Sequence, residues 1–159
     1  MKNELYNEAF EILGRFTPLK ADCGQLCGKR CCEGDNGTGM LLFPEEETTL
    51  NVIEKDGRRL AVCGGECSRK ERPLSCRIFP FFPVYENGKI RAVPDLRGIN
   101  ICPLLVCIDE VKFSRRFLRR VEKIGDLLYS DADCAAFMDE IAGEIREIKK
   151  INEMFSKQK

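Results

Sequence analysis

With 159 residues, 43% of them apolar and 33% charged, the chain has the proportions of one soluble domain, long enough to bury a core and too short for two. Its 26 basic and 26 acidic side chains cancel, so no global excess of charge draws it to nucleic acid or to an anionic membrane. The longest apolar run, Ile101 to Ile108, falls far short of the roughly 20 residues that a membrane-crossing helix needs, and no membrane partner is expected.

Leu5, Ala9, Ile12, Leu13 and Phe16 recur at helical spacing and Thr17-Pro18 ends the run, which predicts a helix over about Asn3 to Arg15. The same charged, amphipathic start lacks the apolar stretch of a secretory signal, so a cytoplasmic location is expected. From Asp22 to Gly39 the chain holds four cysteines and five glycines without apolar periodicity, a loop whose order must come from something other than packing. Pro44-Glu45-Glu46-Glu47 reads as a helix first turn, with Leu50 and Ile53 on its inner face and Gly57 as its stop. A short strand over Arg59 to Val62 then leads to a second cysteine loop. Asn87-Gly88, between Val84-Tyr85-Glu86 and Lys89 to Val93, is a hairpin signal and predicts one small antiparallel ribbon. Val111, Phe117, Leu118, Val121, Ile124 and Leu128 mark one later helix. Phe137, Ile141, Ile145, Ile148 and Phe155 mark another, entered at Ser130-Asp131. Together they predict a helical hairpin over about 110–156 that carries much of the core. The expected fold is α+β: a mainly helical scaffold with a small antiparallel β-ribbon and cysteine-rich loops, in a single domain over 1–159.

Two residue types narrow the chemistry. There is no histidine, which removes Ser-His-Asp and Cys-His machinery, imidazole proton shuttles and His-liganded zinc. There are ten cysteines, and a five-disulfide framework belongs to short secreted chains, whereas this one is neither short nor visibly secreted. The first cluster is Cys23-x3-Cys27-x3-Cys31-Cys32 and the second is Cys63-x3-Cys67-x8-Cys76, followed by Cys102, Cys107 and Cys134. Loops with cysteines three or four apart can bring several thiolates together on a thiophilic metal. Vicinal Cys31 and Cys32 point in different directions and suit two sites, or one site and the core, better than a bond to each other. No C-x2-C occurs, which argues against a zinc ribbon, a bacterial ferredoxin run and a thioredoxin motif. The first cluster is also one residue longer than the C-x3-C-x2-C loop of radical SAM enzymes, and the chain has no room for their barrel.

The order Cys23, Cys27, Cys31-Cys32, then Leu42-Phe43-Pro44-Glu45-Glu46, then Cys63, Cys67 and Arg72-Pro73-Leu74-Ser75-Cys76-Arg77-Ile78-Phe79-Pro80 resembles the CxxCxxCC cysteine-cluster family of zinc- or iron-chelating proteins. The likeness covers about 23–83, and departs from the family in a wider first cluster and a shorter Cys63–Cys67 interval. It implies metal chelation and no particular reaction; similar clusters also occur in the larger flagellin lysine N-methylases.

The expected function is therefore metal binding, of zinc or of iron in the form of a [4Fe–4S] cluster, in a region of about 22–107. The expected ligands are Cys23, Cys27, Cys31, Cys32, Cys63, Cys67, Cys76 and Cys102, in one or two sites, with Cys107 as a substitute for Cys102 and Cys134 as a buried apolar thiol. The competing reading is an iron–sulfur redox or methyl-transfer enzyme component related to those methylases, and a third is a partner-binding module with structural zinc. Residues 1–57 carry 6 basic and 11 acidic side chains (−5), 58–123 carry 15 and 7 (+8), and 124–159 carry 5 and 8 (−3). In the basic centre, Arg72 and Arg77, with Lys29 and Arg30 from the first cluster, could offset the negative charge of a four-thiolate site. Lys112, Arg115, Arg116, Arg119, Arg120 and Lys123 form a basic stripe without an aromatic platform, so it is expected to be a solvated face paired with the acidic last helix, and nucleic acid is not an expected partner. Glu45, Glu46 and Glu47 could add an oxygen ligand, but a helix first turn explains them; Gly37-Thr38-Gly39 reads as a plain turn, and Phe79, Phe81 and Phe82 as core.

Overall fold

The computed structural model describes residues 2–19, 39–62 and 71–156. The six cysteines of the two loops, Cys23, Cys27, Cys31, Cys32, Cys63 and Cys67, lie outside the described residues, as do Lys29, Arg30, Gly37 and Thr38.

Helix α1 (Lys2–Leu13) buries Tyr6, Ala9 and Leu13, one face at three- and four-residue spacing. It stops two residues before Arg15 because Gly14, at φ +57, takes the left-handed conformation and turns its N–H back to the Phe10 carbonyl (2.9 Å).

The helix expected from Pro44 to Gly57 is not there. Glu45 has φ +60, Glu46 turns inward, and Asn51–Lys55 is strand β2, hairpinned onto β3 (Arg58–Val62) through Asp56 and Gly57 at φ +54 and +75. Two successive positive φ values are what a two-residue hairpin turn demands, and Gly57 serves that turn rather than a helix stop. β1 (Met40–Leu41) joins the far side of β3, giving an antiparallel sheet of order β1-β3-β2 in which Met40 faces Ala61 and Asn51 faces Val62. The Arg59–Val62 strand stands as expected, with one residue more at its start.

The short helix α2 (Leu74–Ile78) follows, then β4 (Phe81–Glu86) and β5 (Lys89–Pro94), paired with Glu86 opposite Lys89 across Asn87 and Gly88. Both turn residues have positive φ (+53 and +84), as the Asn-Gly signal requires. After a 3-10 turn at Leu96–Gly98 and the one-turn helix α3 (Pro103–Val106), α4 (Arg115–Tyr129) starts at the Ser114 cap, whose hydroxyl accepts the Phe117 N–H (3.3 Å). Val111 thus precedes the helix. Asp131 begins α5 (Ala132–Ser156) by accepting the Cys134 N–H (3.0 Å).

The architecture is α+β, helices with small antiparallel sheets. The core is shared by α1, α2, the β4–β5 ribbon, α4 and the first half of α5. Phe117, Val121, Ile124 and Leu128 are fully buried, each such side chain contributing about 1.5–3 kcal/mol. Phe81 and Phe82 are core as expected, Phe82 stacked on Phe43 at 5.8 Å. On α5 the buried face runs from Cys134 to Ile145 and stops; the helix continues past the core, leaving Phe155 67% exposed instead of packed.

Candidate metal centre

Two expected ligands, Cys76 and Cys102, are described, and local structure explains both positions. Cys76 sits half-buried in the middle of α2. Pro73, before α2, has no side-chain hydrogen bond to give the helix, and the first amide is met from elsewhere: Glu46 Oε2 accepts the Leu74 N–H at 2.8 Å. Glu46 Oε1 accepts the Phe43 N–H at 3.1 Å. This carboxyl is 1% exposed, and burial pushes its pKa above the ordinary carboxylate range despite the two amides that favour the anion. Glu46 is therefore neither the helix-start residue expected from Glu45-Glu46-Glu47 nor a member of a metal-holding group among the described residues. Next to Cys76, Ser75 is buried, and its hydroxyl has no hydrogen-bond partner among the described residues.

Cys102 is 6% exposed and stands just before Pro103 at the start of α3, its N–H bonded to the Gly98 carbonyl (2.9 Å) and its carbonyl accepting from Leu105 (3.1 Å). It packs in a small apolar cluster with Leu104 and Leu105, joined by Leu19, Phe79 and Ile99. Phe79 reaches that cluster because residue 98 is glycine: a Cβ there would lie 2.6 Å from Phe79 Cζ.

The other two described cysteines are free thiols of different character. Cys107 is half-buried at the end of α3 and donates its S–H to the Pro103 carbonyl (3.2 Å). Cys134 is fully buried on α5, 3.4 Å from the Tyr6 hydroxyl, and burial pushes its thiol up to about 11. That is the inert apolar thiol its sequence context implies.

The described scaffold fixes the four points where the chain leaves for and returns from the two cysteine segments. Gly39, the first described residue after the first segment, lies flat on β3, where a Cβ would be 2.6 Å from the Ala61 carbonyl oxygen. Val62, the last before the second segment, follows Ala61 directly, so the end of one segment and the start of the other are neighbours across a single β-ladder. Leu19, the last described residue before the first segment, packs against the cluster of Cys102, Leu104 and Leu105. Residue 71, the first after the second segment, leads within five residues to Cys76, and three residues later Phe79 lies on the Cys102 loop.

Among the described residues no three cysteine, aspartate or glutamate side chains form a metal-holding group. Two of the cationic side chains fasten the scaffold. Arg77 lays its guanidinium over Phe10 (4.8 Å) and donates to the Gly14 carbonyl (3.4 Å), fastening α2 to the end of α1. Arg120 does the same for α1 through the Ile12 carbonyl and the Phe16 ring (4.2 Å), while Lys112, Arg115, Arg116, Arg119 and Lys123 are exposed. The expected pairing of this stripe with the acidic last helix is replaced: Glu140 and Glu144 of α5 hold Arg58 of β3, and Asp131 and Asp133 hold Lys2. No helix among the described residues is long and apolar enough to cross a membrane.

Sequence reasoning missed the role of Glu46, because Pro44-Glu45-Glu46-Glu47 matches a helix start so well. The turn dipeptide Asp56-Gly57 was the signal that would have redirected it. Comparison with known proteins finds no matching family model, no matching curated protein and no matching solved structure.

Proposed function

We propose that this protein binds zinc or iron, the latter as an iron–sulfur cluster, through thiolates drawn from its two cysteine segments together with Cys76 and Cys102. The observation that carries the reading is the juxtaposition of Gly39 with Ala61 and Val62: the segments bearing Cys23, Cys27, Cys31 and Cys32 and bearing Cys63 and Cys67 end and begin on adjacent strands. One end of each segment is thereby held beside one end of the other, which lowers the entropy cost of gathering thiols from both on a metal.

The donor chemistry supports the same reading. With no histidine in the chain, sulfur is the soft ligand at hand, and all-thiolate sites suit Zn²⁺ and iron–sulfur clusters alike. The family likeness of 23–83 leads to the same chelating role, and a cytoplasmic location, where thiols stay reduced, is part of the proposal. Anaerobic purification followed by metal analysis tests it. One or two zinc or cluster equivalents per chain are expected, a brown protein meaning iron–sulfur and a colourless one zinc. A metal-free protein in which the thiols other than buried Cys134 react freely would overturn the reading.

A further inference from the structure

The rotation of α4 is fixed by its apolar side: Phe117, Val121, Ile124 and Leu128 are fully buried, and Arg120 is fastened to the Ile12 carbonyl and the Phe16 ring. The opposite side carries Arg115, Arg116, Arg119 and Lys123 outward, with Lys112 just before the Ser114 cap, and every one of these cations is exposed. None of them enters an ion pair among the described residues; the carboxylates at the start of α5 and along it hold Lys2 and Arg58 instead. The pairing that would have neutralised the stripe is therefore absent. Asp109 and Glu110, before the cap, and Asp126, one turn past Lys123, mark its two ends.

Such a row is locally unfavourable. Arg115 and Arg119, like Arg119 and Lys123, are like charges four residues apart, and the first turn of α4 holds no acidic residue, so its cations sit at the positive end of the helix dipole. Natural chains keep violations of this kind chiefly at functional sites. A row of negative charges relieves both at once.

We propose that this face of α4 docks the phosphate backbone of duplex DNA without regard to sequence. The arginine fork matches a phosphate with two N–H bonds, and Arg115 to Lys123 spans about 12 Å of helix, against phosphates that recur along one strand at about 3.4 Å of duplex axis. Other polyanions fit this face less well. The apolar side of α4 is spent on the core and none of its large apolar side chains is exposed, which leaves nothing to sink into a lipid surface and no apolar centre for a protein interface. The nearest rings are engaged, Phe113 edge-on to Phe81 (4.8 Å) and Phe16 beneath Arg120 (4.2 Å), so single-stranded bases find no stacking platform. Between the two duplexes, B-form DNA has a groove that admits a helix, whereas the major groove of A-form RNA is deep and narrow.

Fluorescence anisotropy of a short labelled DNA duplex of mixed sequence, titrated with the full chain as purified at several salt concentrations, tests this. Contact with four or five phosphates predicts a log–log salt slope of about −4, so that affinity falls roughly 250-fold over a fourfold rise in salt. Arg115→Gln/Arg116→Gln/Arg119→Gln should weaken binding about 10-fold or more at low salt and make the slope shallower by about 3. Arg119→Gln alone should make it shallower by about 1, a readout that stands even where the triple variant fails to fold. Arg146→Gln/Lys149→Gln/Lys150→Gln, which removes the same charge from the exposed end of α5, should bind as wild type does; thermal unfolding of each variant is recorded alongside. No binding by the wild-type protein at the lowest salt, equal losses in the two triple variants, or binding at least as tight to duplex RNA, to phosphatidylserine-containing vesicles or to polyglutamate would overturn the proposal.

Discussion

At the scale of single residues, the cysteines divide by environment. Cys134 is a core side chain: its thiol faces the Tyr6 hydroxyl, and with its pKa pushed up to about 11 it is protonated across the neutral range. Alkylation of the folded protein at pH 8 should leave Cys134 unmodified while Cys107, half-buried at the end of α3, reacts; mass mapping of labelled peptides checks this, and early labelling of Cys134 would contradict the burial assigned to it. Asp131 shows how one cap makes stability depend on pH. Its carboxylate is held below its usual range first by the Cys134 N–H and further by Lys2. Because the folded-state value is depressed, this contribution is complete above the unfolded value near 4 and is lost as pH falls through the folded one. Asp131→Ala should therefore cost about 1 kcal/mol at neutral pH, with the deficit shrinking in acid. Denaturant titrations at neutral and acid pH would reveal it; a deficit equal at both would exclude the charged cap.

At the scale of elements, close approaches separate glycines that look alike in sequence. Gly125 and Gly143 both lie inside long helices, where alanine is favoured by up to about 1 kcal/mol. At Gly125 a Cβ would meet Ile90 Cγ2 at 2.5 Å and Pro83 Cβ at 2.6 Å, so α4 lies directly on the β4–β5 ribbon there. At Gly143 nothing stands within 4 Å. Gly125→Ala should destabilise by about 1–3 kcal/mol through overpacking, and Gly143→Ala should stabilise by up to about 1 kcal/mol. Chemical denaturation of the two variants decides the signs, and equal signs would mean that the ribbon does not press on α4. The same elements show what was legible beforehand. α1, the Asn87-Gly88 ribbon, the Arg59–Val62 strand and the helices on either side of Ser130-Asp131 follow from periodicity and turn chemistry, which are local. β2 was mistaken for a helix because its register depends on β3, a tertiary partner that no window of sequence contains. Phe155 was counted as core because helical periodicity runs on after the core itself has ended.

At the scale of the whole molecule, the proposal assigns the scaffold and the cysteine segments different sources of order. Scaffold residues bury a continuous apolar core from α1 to α5; the 22–39 segment has little apolar content of its own, and folding free energy from thiolate–metal bonds is the source proposed for it. Of the eight proposed ligands, the sequence makes the cysteines visible, and the fold adds what spacing cannot: β1 beside β3, Leu19 against the cluster that holds Cys102, and Phe79 on Gly98 draw separate chain positions into two neighbourhoods. The clamp at Glu46 was not legible, because both of its partners are backbone amides, which carry no side-chain signature. The measurement that tests the central claim most directly is metal content per folded chain after anaerobic purification of wild type, Cys76→Ser, Cys102→Ser and Cys134→Ser. Removing a soft ligand at Cys76 or Cys102 should weaken or abolish retention, while Cys134→Ser should keep the full metal content and lose only about 1 kcal/mol of stability, since the Tyr6 hydroxyl remains as a partner. Equal losses in Cys76→Ser and Cys134→Ser, or no metal in the wild-type protein, would contradict the account.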